Sequence, residues 1–144
     1  MSETPARPQT GVWIERTGPA TYRGVSASGA KVLIGRAGNG PVFTPRELLQ
    51  LALAACSAMS SDMQLSSVLG PNFNAVTTAT PTKDSVADKY NSFTETMAVD
   101  LSALDGAARE KLSSSVRDKI AKNCTVGNTI MAGATIPPIE LVQP

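Results

Sequence analysis

The chain has 144 residues, enough for one domain with a real core, and a formal net charge of +1, which gives no basis for binding nucleic acid or a membrane surface. It contains two cysteines and no histidine. That composition excludes a Ser-His-Asp triad, a Cys-His dyad and a His-ligated metal, and two cysteines alone cannot hold a zinc ion. Residues 1–10 are polar and Pro-containing, without the basic start and apolar run of a signal peptide, and read as the flexible N-terminus of a cytoplasmic protein. Nothing approaches the ~18 consecutive apolar residues of a membrane span.

Val12-Trp13-Ile14 opens a β-prone stretch, punctuated by Thr17-Gly18-Pro19. Residues 21–26 and 31–34 continue it as two further short strands around the Ser28-Gly29 turn. A long helix follows over 44–70. Thr44 suits the N-cap, Pro45 the first helical position, and Glu47 completes a Thr-x-x-Glu capping box. Gly70-Pro71 ends it. Leu48, Leu49, Leu51, Ala52, Leu53, Ala54, Ala55 and Ala58 go almost all round this helix, which predicts burial on every side. Its small residues would also permit close helix–helix approach across a subunit interface, although alanine is equally a good helix former.

Residues 74–80 and 92–101 read as a strand pair flanking a charged, turn-like stretch over 81–90. Phe93, Met97 and Val99 share one face of the second strand, interrupted by Glu95. Asp105-Gly106 opens a second helix running to about Lys122, with Leu112, Val116 and Ile120 on one stripe. Cys124 follows, then a short turn or helix over 126–131, and a last strand over 136–142. Strands and helices in this order predict a single α+β domain over residues 1–144, an antiparallel sheet with a long buried central helix and a second helix.

The chemistry-bearing candidates are the cysteines. Cys56, in the middle of the Ala/Leu helix, is either a small buried hydrophobe or a nucleophile activated without histidine. Cys124 stands just before a possible helix start, whose positive end would favour a thiolate there. Glu47 lies nine residues before Cys56. At ~100° and 1.5 Å per residue it faces the opposite way, ~13 Å along the axis, so one site could use both only through a second chain or a bent path. Ser57, Ser60 and Ser61 lack a histidine base and read as helix-surface serines or as serines bonded back to the helix backbone.

Two stretches resemble the OsmC/Ohr family of osmotically inducible and organic-hydroperoxide-resistance proteins. Pro45-Arg46-Glu47-Leu48-Leu49, continued through Ala54-Ala55-Cys56-Ser57-Ala58-Met59, is similar to that family's P-x-E-L-L and A-A-C-x-x-M helix. Cys124-Thr125-Val126-Gly127-Asn128-Thr129 is similar to its C-P-V-S-N-x segment. Val25-Ser26-Ala27-Ser28-Gly29 resembles the early strand and turn of one subgroup. The resemblance implies an intertwined homodimer with a curved antiparallel sheet and the central helices between subunits. It implies Cys56 as the peroxidatic thiolate that attacks an organic hydroperoxide, and Cys124 as the resolving cysteine. The resulting disulfide would be reduced by an external thiol or lipoyl group, with no metal and no other cofactor. Arg23 or Arg16 would lower the pKa of Cys56, with Arg46 as a substitute, and Glu47 would hold the arginine by a salt bridge. The acid stands one place later than in the family's most active peroxidases, where it directly follows the proline. The alternative reading is an OsmC-like protein that binds an apolar or acyl ligand, or senses redox state, without efficient peroxidase activity.

Overall fold

A computed structural model describes residues 5–144; the flexible terminus expected over 1–10 therefore falls partly outside the described residues. The chain divides into two compact units, one comprising the residues up to Leu48 together with Thr135–Pro144, the other Leu49–Ala134.

The first unit holds an antiparallel meander of β1 (Val12–Gly18), β2 (Thr21–Ser26) and β3 (Lys31–Gly35), in the order β1-β2-β3. Gly29 turns β2 into β3 with φ +96°, a conformation that costs glycine little. The register sets Glu15 opposite Arg23, and Arg23 opposite Leu33. Ile14, Gly24 and Val32 lie side by side on the other face. A side chain at Gly24 would start 2.8 Å from the Val32 methyl, so the glycine leaves a dent in an apolar surface.

Helix α1 (Pro45–Leu69) begins in the first unit and continues through the second. Its capping box forms as expected: Glu47 N–H donates to Thr44 Oγ1 (3.2 Å), and Thr44 N–H donates to Glu47 Oε1 (2.9 Å). Gly70, at φ +93°, ends it. The all-round burial expected of this helix does not occur within one chain. Leu53, Ala54, Ser57, Ser61 and Leu65 form one buried stripe, whereas Met59 and Met63 are each 78% exposed. The elements of a single chain cover one side only, and the apolar opposite side stays open.

Strands β4 (Ala75–Asp84) and β5 (Lys89–Val99) pair antiparallel. They run through most of the charged stretch read as a turn, because cross-strand pairing extends to Asp84 and Lys89. Only residues 85–88 turn, with Asp84 Oδ1 accepting the N–H of Val86 and Ala87. Helix α2 (Gly106–Asn123) is capped by Asp105, which accepts from Ala108 N–H at 2.8 Å, and α3 (Thr125–Ala132) follows directly. Leu53, Ala54, Ala79 and Cys124 form the buried cluster of the second unit, with Cys56, Phe93, Ile120, Val126 and Ile130 packed against it.

The strand expected over 136–142 is absent. This segment has no regular secondary structure and is exposed, Ile136 and Ile139 at 90%. Pro137 and Pro138 have no N–H to give a ladder, and the segment pairs with no strand among the described residues. The α+β class with antiparallel sheets agrees with the sequence reading; among the described residues the strands form a three-stranded and a two-stranded sheet, with three helices.

Candidate active site

Cys124 occupies a single-residue junction. Its N–H donates to Ile120 O (2.9 Å), closing α2, and its C=O accepts from Asn128 N–H (2.9 Å), opening α3. The first turn of any helix leaves backbone N–H groups without intrahelical partners. In α3 these groups point at sulfur. Gly127 N–H donates to Cys124 Sγ (3.4 Å), while the N–H groups of Val126 and Thr125 are donors to Cys56. The two cysteine side chains also influence each other's ionisation.

The two thiols are pushed in opposite directions. Cys56, half-buried on α1, is held below the ordinary thiol range, first by the Val126 N–H; burial opposes this, and the Cys124 thiol, Thr125 N–H and Ser60 add to the lowering. Cys124 is 1% exposed and is pushed up, first by burial; the Gly127 N–H pulls the other way, and the neighbouring Cys56 sulfur raises it again. The sequence placed the thiolate-favouring helix start beside Cys124. The structure gives its benefit to Cys56 instead, because Cys124 is the cap and is buried, whereas Cys56 faces the helix opening. Of the two thiols, Cys56 is therefore the one that ionises more readily.

Ser57 completes the arrangement. It is 2% exposed and its hydroxyl lies 3.7 Å from Cys124 Sγ. Ser60 and Ser61 donate to the backbone carbonyls of Cys56 (2.7 Å) and Ser57 (3.0 Å), as read from sequence.

Glu47, Arg23 and Arg16 lie in the first unit, and the cysteines in the second. Within its chain Glu47 serves the capping box, and its lowered pKa comes first from the Thr44 N–H. The carboxylate that holds Arg23 is Glu15, at 2.7 Å across the β1–β2 register. Arg7 binds the same carboxylate at 2.7 Å and Trp13 Nε1 donates to it at 3.2 Å. The Arg23 hydrogen bond is the first cause of Glu15's lowered pKa. Arg23 Nε is buried without a hydrogen-bond partner among the described residues. Arg16 pairs with Tyr22 in the register, so it projects from the face opposite Glu15 and Arg23. Sequence reasoning missed Glu15. Counting back across the β1–β2 turn would have found it opposite Arg23. Among the described residues no group of histidine, cysteine and carboxylates could hold a metal ion.

No protein-family model matches the chain. Uncharacterised proteins of Mycobacterium bovis and Mycobacterium tuberculosis are 42% identical to it over 127 residues, covering 88% of this chain and 93% of theirs. Among solved structures, an OsmC-like protein of unknown function from Vibrio cholerae superposes with a TM-score of 0.55 at 11% identity, covering 85% of this chain and 94% of that one. The organic hydroperoxide resistance protein OhrB of Bacillus subtilis gives 0.52 at 17% identity, over 83% and 88%. An OsmC-like protein from Mycoplasma pneumoniae gives 0.56 at 9%, over 89% and 91%.

Proposed function

We propose that this chain, which belongs to one family with the mycobacterial relatives and has the OsmC/Ohr fold, is a thiol-dependent peroxidase that reduces organic hydroperoxides. The observation that carries the reading is the pair itself. A cysteine whose pKa is lowered stands beside a second, buried cysteine whose pKa is raised, and both lie at the start of one helix.

Cys56 thiolate attacks the outer oxygen of the hydroperoxide. The S–O bond forms as the O–O bond breaks, leaving Cys56 sulfenic acid and an alkoxide that takes a proton to become the alcohol. Cys124 then attacks the sulfenic sulfur, a disulfide forms, and water leaves. An external thiol or lipoyl dithiol returns both cysteines to the reduced state. The donors from Val126 and Thr125 belong to a rigid backbone and need no rearrangement between turnovers.

The working protein is a homodimer in this reading. The open side of α1, with Met59 and Met63, and the Val12 and Ile14 face of the meander are apolar surfaces that a second copy would cover. A partner is also the route by which Arg23 or Arg16 would reach a thiolate. No helix among the described residues is long and apolar enough to cross a membrane; a cytoplasmic location is part of the proposal.

The test is stopped-flow turnover with cumene hydroperoxide and with hydrogen peroxide, on wild type and Cys56→Ser. Faster turnover of the organic peroxide, lost in the variant, with a Cys56–Cys124 disulfide seen by non-reducing mass spectrometry, is the expected result. Two free thiols after excess organic peroxide would overturn the reading.

A further inference from the structure

Resting on the peroxidase reading, we infer that Glu95 is the proton acceptor for Cys124 as the disulfide forms, reached through the Ser57 hydroxyl and the cavity beyond it. Glu95 is the residue out of pattern on β5. It shares a face with Phe93, Met97 and Val99, and Phe93 packs against the buried cluster. Its cross-strand neighbour Ala79 is 7% exposed and belongs to that cluster. Glu95 itself is exposed, so its carboxylate keeps contact with water, yet it borders two cavities that flank Cys124.

Both cavities lie wholly in the second unit. The first, ≈ 260 Å³, has Ser57 of α1, Thr77 of β4, Glu95 of β5, and Ser113 and Arg117 of α2 in its wall. The second, ≈ 440 Å³, has Glu95 and Cys124 in its wall. Cys124 is 1% exposed, so its sulfur is closed to a reagent, but a proton needs only a hydrogen-bonded path. Ser57 provides that path. Its hydroxyl lies 3.7 Å from Cys124 Sγ, and the residue borders the first cavity on the side that Glu95 also lines. Hydroxyls and a carboxylate around ≈ 260 Å³ give water both room and partners. Besides Cys124, the ionisable groups that face Glu95 across the two cavities are Arg117, which lies 3.9 Å from the Glu110 carboxylate, and Tyr90. The lining residues of α1, β4 and α3 bring no other charge.

Cys124 needs such an outlet, because burial pushes its thiol up. Ser57 accepts the thiol proton and passes its own into the cavity, where Glu95 takes it. The hydroxyl is left donating to the new thiolate. The Cys124 electron pair forms the S–S bond as the S–O bond of the Cys56 sulfenic acid breaks. The departing hydroxide takes a proton and leaves as water, and Glu95 returns its proton to solvent. The oxidant is the hydroperoxide already spent on Cys56. Glu95 touches no reacting atom and is a positioning residue for the proton. A carboxylate that merely stood near Cys124 would act in the opposite sense, since its negative charge disfavours a thiolate.

The test forms the same disulfide without peroxide. The uncharged disulfide 4,4′-dithiodipyridine reacts with Cys56 and releases one thiopyridone; attack by Cys124 on that mixed disulfide releases a second. The second phase, followed by absorbance over a series of pH values, reports the loss of the Cys124 proton. Glu95→Gln should slow it roughly tenfold relative to the first phase and flatten the acid limb of its pH profile, while Glu95→Asp keeps that limb. The effect is smaller than the ~100-fold of a base acting directly, because a hydroxyl and water intervene. A faster second phase in Glu95→Gln, an unmoved rate and profile, or equal slowing of both phases would overturn the inference and leave the peroxidase reading standing. A wild type that releases only one thiopyridone would overturn both.

Discussion

Replacing Ser57 with alanine should slow disulfide closure while sparing the attack on peroxide. The Ser57 hydroxyl is buried and lies 3.7 Å from Cys124 Sγ, where it holds down the pKa of a thiol that burial pushes up. In the proposed mechanism Cys124 must lose its proton to attack the sulfenic acid, so the donor would bind more strongly as that sulfur gains charge. A hydrogen bond to a neutral group contributes about 0.5–1.5 kcal/mol and one to a charged group about 1.5–3 kcal/mol. At 3.7 Å, long even for sulfur, the differential is taken as about 1 kcal/mol, which corresponds to roughly fivefold in rate. The assay is a single turnover with cumene hydroperoxide, quenched with dimedone to count surviving sulfenic acid. Ser57→Ala should prolong the sulfenic acid and shift the pH profile of closure to higher pH, because loss of the donor raises the Cys124 pKa further. The rate of sulfenic acid formation should stay near wild type. Closure at the wild-type rate with an unmoved pH profile, or equal slowing of both steps, would refute the reasoning.

Other consequences are as direct. Cys56, with its lowered pKa, should be alkylated by iodoacetamide at pH values where ordinary thiols are still protonated, and Cys124 only at distinctly higher pH; peptide mapping that finds both labelled in parallel would contradict the split. Thr44→Ala removes the acceptor for Glu47 N–H and should cost about 0.5–2 kcal/mol in urea unfolding, with no effect if the capping box is not formed in solution. Leu53→Ala empties the centre of the buried cluster and should cost about 2–5 kcal/mol; a loss below about 1 kcal/mol would mean the cluster is not packed as described.

Local rules made much of this fold legible. The capping box fixed where α1 begins, Gly70 where it ends, and the Gly and Pro punctuation where the first three strands lie, because each is decided within a few residues. Burial all round α1 needs a surface beyond one chain, as Met59 shows by its exposure, and the β-prone 136–142 segment finds no ladder partner among the described residues. The charged 81–90 stretch reads as a turn because its composition hides the cross-strand pairing that extends to Asp84 and Lys89. Both cysteines were found by composition and motif, but not which of them becomes the thiolate. That depends on where three backbone N–H groups point, which no residue type announces. Ser57 was dismissed for lack of a base, whereas its place beside Cys124 calls for a hydrogen-bond donor and not a nucleophile.

The arginine expected to activate Cys56 is a separate matter from the activation itself. The lowering of the Cys56 pKa arises within the second unit from backbone and thiol donors, without a guanidinium. Arg23, for its part, is already held by Glu15, which Arg7 also binds. A guanidinium neutralised by a carboxylate carries little net charge of its own, but keeps N–H donors in a fixed plane. Under the proposed function such a group would serve to orient the peroxide oxygens, or to receive the departing alkoxide, more than to ionise the cysteine. Glu15→Gln should therefore leave the alkylation pH profile of Cys56 in place and reduce the rate of its reaction with organic hydroperoxide, whereas a matching shift of the alkylation profile would return the activating role to the arginine.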